Sequence, residues 1–230
     1  MATPPYAGLT PDRVLDALDS VGVRGDGRLL ALNSYENRVY QAWRDDAAPV
    51  VAKFYRPDRW SDAEIAEEHA FVAELADSEV PAVPPLMLQG RTLHAFEGFR
   101  FSVYERRGGR APELDRRDTL VRLGQFIARI HVVGARRPFI ARPALTRATF
   151  GIEPRDYLVA HDWLPVDLRD VWKGVANHAL DSVARCYDRA GTVATLRLHG
   201  DCHGGNVLWT DDGPHFVDFD DARIGPAIQD

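Results

Sequence analysis

The chain has 230 residues, 45% hydrophobic and 27% charged, with a formal net charge of −6. This is the make-up of an ordinary globular protein, long enough for one large domain or two small lobes. The acidic balance argues against a nucleic-acid partner, and no apolar run approaches the roughly 18 residues a membrane span requires. Two cysteines, with no signal peptide ahead of Thr10, read as free thiols in a cytoplasmic protein.

In chain order, Thr10-Pro11-Asp12 opens a first helix, with Thr10 as N-cap and Pro11 at the first helical position. Val14, Leu15, Leu18 and Val21 recur at helical spacing and Gly22 ends it. From residue 28 to 55 the period becomes two, predicting strands over residues 29–33, 38–43 and 50–55, the last two joined by a polar turn at residues 44–49. Of 28 basic residues 26 are Arg, leaving only Lys53 and Lys173. A lysine retained against that bias suggests a need for a compact ammonium. Lys53 also sits in an apolar strand, where an ammonium is costly to bury without a partner.

Ser61 followed by Glu64 forms a capping box for a second helix. Ile65, Glu68, Val72 and Leu75 share one face, so Glu68 points inward and is the expected partner of Lys53, with Glu67 as the alternative. Two further strands are expected at residues 85–88 and 99–105, with a turn near Gly98. The charged break at residues 106–109 reads as a hinge. Helices follow over residues 116–131 and 167–190, separated by an irregular connection at 136–165. The arginines of that connection, at 136, 137, 142, 147 and 155, read as solvated, and His131 as a helix-end or core histidine.

The densest chemistry comes last. His199-Gly200-Asp201-Cys202-His203-Gly204-Gly205-Asn206 opens into a short strand, a turn at residues 211–213 and a second strand ending near Asp218. Asp201, Asn206 and Asp218 would converge there, three oxygen-bearing side chains suited to a hard cation and phosphate groups. The protein-kinase signature places its catalytic Asp five residues before a metal-binding Asn, with a second metal-binding Asp on the next hairpin. Asp201 and Asn206 have that spacing. Gly200 stands where protein kinases carry Arg, and Phe219 is followed by Asp220 instead of Gly, so the pattern belongs to the wider phosphotransferase superfamily. Asp220 and Asp221 read equally as second-tier metal positions or as a structural turn paired with Arg223.

Residues 198–205 (LHGDCHGG), 217–230 (VDFDDARIGPAIQD) and 33–40 (NSYENRVY) resemble the bacterial stress response kinase A family, and the resemblance runs from about Leu9 to Asp230. It implies an α+β, two-lobed protein-kinase-like fold of the aminoglycoside phosphotransferase type. Residues 1–105 would form the nucleotide-binding lobe and residues 106–230 a helical lobe that is incomplete. It further implies an ATP- and Mg²⁺-dependent serine/threonine protein kinase linked to stress survival, acting as a monomer on a protein hydroxyl. On this reading Asp201 is the catalytic base, while Asn206 and Asp218 hold Mg²⁺. Lys53 and Glu68 serve the nucleotide phosphates, and Ser34, Tyr35, Glu36 and Asn37 lie over them in place of a glycine-rich loop. Tyr104 and Glu105 border the adenine.

Three other readings compete. A small-molecule kinase of the aminoglycoside, choline or homoserine type shares the catalytic signature. A non-catalytic kinase-like module would follow if the chain lacks helices that its family continues with beyond Asp230. A zinc hydrolase would use His199, Cys202 and His203, but Gly200, Gly204 and Gly205 disfavour the helix that would align the histidines.

Overall fold

The computed structural model describes residues 4–45 and 47–230, so Asp46, inside the predicted turn 44–49, lies outside the described residues. Helix α1 (Pro11–Ser20) starts as expected, with the Thr10 hydroxyl accepting from the Arg13 N–H at 3.3 Å. It lays Val14, Ala17 and Leu18 on an antiparallel sheet of β1 (Leu29–Leu32), β2 (Arg38–Ala42), β3 (Val50–Phe54), β4 (His94–Phe96) and β5 (Phe99–Glu105), in the order β1-β2-β3-β5-β4. Ala52, Phe54, Phe101 and Val103 form the sheet's side of that core. Register places Lys53 between Val39 and Ser102 in the centre of the sheet.

Residues 85–88 do not form the predicted strand. Pro84 and Pro85 have no N–H to donate, so only isolated bridges form, with Leu86 donating to the Val103 carbonyl at 2.7 Å. The pairing strand is β4, joined to β5 by a tight turn at Glu97 and Gly98, both at positive φ.

Helix α2 (Asp62–Asp77) begins with the complete capping box of Ser61 and Glu64. Its apolar face joins a second core: Phe71, Val72 and Leu75 meet Ile130 and Val133 of α3 (Arg117–Gly134) and Phe216 and Phe219 beyond. The helix therefore packs away from the sheet's core, towards the motif-bearing segment. The connection 136–165 is less irregular than expected. It contains a π-helical turn at Ala148–Ile152 and helix α4 (Glu153–Ala160), which leads towards α5 (Arg169–Ala190).

The motif sits on two small antiparallel ribbons. β6 (Thr195–Leu198) pairs with β9 (Arg223–Pro226), and β7 (Val207–Thr210) with β8 (Gly213–Phe216) across a two-residue loop. Helix α3 comes so close to β6 that a Cβ on Gly134 would stand 2.1 Å from the Arg197 carbonyl oxygen. No helix among the described residues is long and apolar enough to cross a membrane.

Candidate active site

A cleft of about 400 Å³ lies between the five-stranded sheet and the β7–β8 ribbon, within the size range of small-molecule sites. Its apolar walls are Leu32, Val39, Val51, Val72, Leu208 and Val217, a sandwich suited to a flat aromatic ring. Its polar end gathers Lys53, Glu68, Asn206 and Asp218.

Asp218 follows β8 in the left-handed region, at φ 60 and ψ 61. That backbone is strained for a non-glycine residue and must be held by its surroundings. It turns the carboxylate to Lys53, whose Nζ lies 2.7 Å from Asp218 Oδ1 and 3.2 Å from Asp220 Oδ1. Burial alone would drive the Lys53 pKa down, but Asp218, Asp220 and Glu68 outweigh it and hold the ammonium charged. Burial likewise pushes the Asp220 carboxyl up, yet Lys53, Arg59 and Arg142 together lower it on balance. Arg59 clamps the same turn, 2.6 Å from Asp220 and 2.9 Å from Asp221, and Asp221 also meets Arg223 at 2.7 Å.

The loop after β6 is fixed from beneath. His199 is buried, accepts the Asp201 N–H at Nδ1 (3.4 Å) and bonds through Nε2 to the Val217 carbonyl (3.0 Å), tying the Asp201 loop to the Asp218 strand. Burial lowers its pKa, so it stays neutral. Asp230 completes the support, with Oδ1 accepting from the Gly200 N–H (2.8 Å) and Oδ2 from the His199 N–H (3.0 Å) and His131 Nε2 (3.0 Å). His131 thus serves this anchor and not merely its helix end. Gly200 is required here: its φ is +87 and a Cβ would fall 2.1 Å from the Asp221 carbonyl oxygen. Asn206 Nδ2 donates to the Asp201 carbonyl (3.0 Å) and to Oδ2 (3.3 Å), setting the acid and the amide side by side.

Several expected roles change. Among Ser34, Tyr35, Glu36 and Asn37, only Ser34 lines the cleft. Tyr35 is 94% exposed. Glu36 pairs with Arg56 beside a separate hollow of about 760 Å³ that holds none of the motif side chains. Asn37 is buried because its Oδ1 accepts the Arg56 N–H and pins the turn. Tyr104 and Glu105 border the cleft as expected, while the Tyr104 hydroxyl meets Tyr55 and the Glu105 carboxylate meets Arg107.

The expected Lys53–Glu68 ion pair is also not formed, because the carboxylates of Asp218 and Asp220 take the ammonium. Glu68 is buried in the same pocket and faces Arg142 at 3.5 Å. Burial raises its pKa against the pull of Lys53 and Arg142. Glu67 takes no part in this, since its carboxylate accepts the backbone N–H groups of Ile140, Ala141 and Arg142. Arg142 itself is not solvated but buried, a role invisible among so many arginines.

For a divalent cation, the structure offers the half-exposed Asp218 carboxylate and the Asn206 amide, whose Nδ2 is spent on Asp201 so that its carbonyl oxygen is the group left over. Both are hard oxygen donors, and backbone bonding of Val217 N–H to the Asn206 carbonyl (3.0 Å) keeps them adjacent, so the pair fits Mg²⁺. The zinc arrangement does not fit. Both His199 nitrogens are used, burial pushes the Cys202 thiol up to about 12, and no group of three His, Cys, Asp or Glu ligands occurs among the described residues.

The chain is similar to known proteins in both sequence and fold. A family model described as the phosphotransferase enzyme family matches residues 28–230. Stress response kinase A of Salmonella choleraesuis is 45% identical over 225 residues, covering 98% of this chain and 68% of that protein. A serine/threonine protein kinase, RdoA, of Salmonella typhimurium is 44% identical, and stress response kinase A of Escherichia coli K12 is 43% identical, with the same coverage. Among solved structures, amicoumacin kinase hAmiN bound to AMP-PNP and Ca²⁺ superposes with a TM-score of 0.68 at 19% identity, covering 88% of this chain and 61% of its own. Spectinomycin phosphotransferase with ADP gives 0.67 at 12% identity, over 95% and 71% of the two chains. These structures share the fold. The chain spans about two thirds of the length of its curated relatives.

Proposed function

Because the chain belongs to the phosphotransferase enzyme family, among relatives named stress response kinase A, we propose that it transfers the γ-phosphoryl group of ATP to a serine or threonine hydroxyl of a protein. The observation that carries this reading is the gathering of Lys53, Asn206 and Asp218 at one end of an apolar cleft, with Asp201 hydrogen-bonded to Asn206 beside it. The relative named as a serine/threonine protein kinase supports the choice of acceptor.

In this mechanism the apolar walls hold the adenine, and the segment from Tyr104 to Arg107 borders it. Lys53 presents a permanent positive charge to the phosphates, kept protonated by its carboxylate neighbours. Asn206 and Asp218 would hold Mg²⁺, which supplies neutralisation of the phosphate oxygens. Asp201 accepts the proton of the attacking hydroxyl, its carboxylate oriented by the Asn206 amide. Phosphoryl transfer demands little covalent chemistry from the protein, so fixed placement of these charges is the main contribution.

The test is transfer of γ-labelled phosphate from Mg·ATP, offering a generic protein substrate and an aminoglycoside in parallel, with Asp201→Asn as control. Label on protein that disappears in the control is the expected result. Label on the small molecule alone would move the acceptor to the antibiotic-kinase class. Asp201→Asn should still bind ATP, whereas Asp218→Ala should lose Mg²⁺-dependent nucleotide binding. Normal transfer by Asp201→Asn would refute the base assignment.

A further inference from the structure

One buried cation near the site has no part in the phosphotransfer motif. The Arg142 guanidinium is 0% exposed and every arm is engaged. Nε donates to the Glu64 carbonyl (2.9 Å), Nη1 to the carbonyls of Asp220 (2.8 Å) and Ala222 (2.7 Å), and Nη2 reaches Glu68 at 3.5 Å. Its face lies 4.4 Å over the Trp60 ring. The backbone that carries it is itself fixed, since Glu67 accepts the N–H groups of residues 140 to 142.

Two of those contacts are to α2, and two are to the single turn that follows Asp218. That turn has to keep a strained left-handed Asp218 in place, and its own backbone closes it with the Ala222 N–H to the Phe219 carbonyl at 2.9 Å. Side chains do the rest: Arg59 on Asp220 and Asp221, Arg223 on Asp221, and Arg142 on two carbonyls. A planar guanidinium offers donors in fixed directions and can hold two carbonyls and a helix at once, which a lysine ammonium on a flexible stem cannot reproduce. Arg142 also faces Glu68 at 3.5 Å, while the Lys53 ammonium is held by Asp218 and Asp220.

We infer that Arg142 is a positioning residue for the metal-binding turn, acting through the carbonyls of Asp220 and Ala222 to set where the Asp218 carboxylate stands, and coupling that placement to α2. The inference rests on the phosphotransferase reading of Asp218. It makes α2 and the Asp218 turn one mechanical unit, so that displacement of either would be felt at the cation.

The experiment compares wild type, Arg142→Lys and Glu67→Gln. The last loosens the Arg142 backbone without leaving a buried charge unpaired, and serves if Arg142→Lys does not fold. Calorimetric titration measures binding of a non-hydrolysable ATP analogue with and without Mg²⁺, and hydrogen exchange is followed in the metal-free proteins. Loss of a group that orients a ligand typically lowers metal affinity about 10–100-fold. Arg142→Lys should therefore raise the Mg²⁺ concentration for half-maximal nucleotide binding by about tenfold or more. Metal-free nucleotide binding should stay unchanged. Glu67→Gln should give a smaller rise. In the metal-free variants the Ala222 amide should exchange faster, while amides within α3 keep their wild-type protection. Wild-type Mg²⁺ dependence in both folded variants, or exchange that quickens equally throughout the chain, would make Arg142 a purely structural residue and overturn the inference. Wild-type protein that binds nucleotide with no Mg²⁺ dependence would instead overturn the phosphotransferase reading, and this inference with it.

Discussion

Replacing Lys53 by methionine keeps its length and removes its charge, and the structure says which partner should feel the loss. The ammonium is nearer to Asp218 (2.7 Å) than to Asp220 (3.2 Å), but the Asp218 side chain is 51% exposed and that of Asp220 only 5%. Water screens the shorter contact, and an exposed pair contributes about 1 kcal/mol or less. Breaking a buried pair costs about 3–5 kcal/mol, because a charge is stranded away from water. Arg59, 2.6 Å from the other Asp220 oxygen, keeps part of that carboxylate paired. The Lys53–Asp220 coupling should then be about 2 kcal/mol, below the full buried cost. The Lys53–Asp218 coupling should be under about 1 kcal/mol. Lys53→Met by itself should lower stability by about 3 kcal/mol. In a chain of this size that amounts to a fall in Tm of roughly 6–12 °C. The assay is urea unfolding followed by tryptophan fluorescence, with double-mutant cycles pairing Lys53→Met with Asp220→Asn and with Asp218→Asn. A coupling to Asp218 equal to or larger than that to Asp220 would refute the argument that burial, and not distance, sets the strength of these pairs.

Other consequences are open to measurement. Asp230→Ala strands two N–H groups of the loop after β6, so stability should fall by about 2–5 kcal/mol. Transfer should drop even in the folded fraction, and unchanged exchange at the His199 and Gly200 amides would contradict this. Gly200→Ala should fail to accumulate folded protein or lose several kcal/mol, about the cost of backbone strain plus a steric clash, read by thermal melting. His69 is held neutral, its pKa lowered from 6.5 to about 3, chiefly by burial. Between those values the unfolded chain binds the proton that the folded chain refuses. The stability His69 contributes is therefore complete above pH 6.5 and is lost as pH falls. His69→Gln should lose about 2 kcal/mol less than wild type between pH 7 and pH 5, by the linkage relation. The raised Glu68 acts in the opposite sense in both proteins and cancels in that difference. Equal slopes would show that His69 titrates normally.

Much of this molecule is legible in its residue order, for a local reason. Thr10 and Pro11, the Ser61–Glu64 box and the Asp211–Gly213 turn are decided within a few residues, so their elements appear where the pattern places them. The closeness of Asp201 and Asn206 is legible as well, because the five-residue step between them lies within one loop, and Asp218 is one hairpin away. The isolated lysine in an apolar strand announced a partner but not which one: Asp218 and Asp220 hold it in place of the expected Glu68.

What the tertiary structure alone decided is which charge meets which. Glu67 and Glu68 are neighbours on one helix, yet one secures the backbone at residues 140–142 and the other faces the cleft. Arg142 resembles its 25 fellow arginines in sequence, and becomes singular only because the chain folds it beneath α2 and the Asp218 turn, 74 to 80 residues away in sequence from its partners Glu68 and Ala222. Asn37 leaves its expected place because its Oδ1 accepts the Arg56 N–H, 19 residues on, while Tyr35 is left exposed. Burial sets the energy of each polar contact, and burial is a property of the folded whole. The pattern of residues therefore determined the elements and brought the motif side chains into one short segment, while the packing of those elements determined how the charges are held.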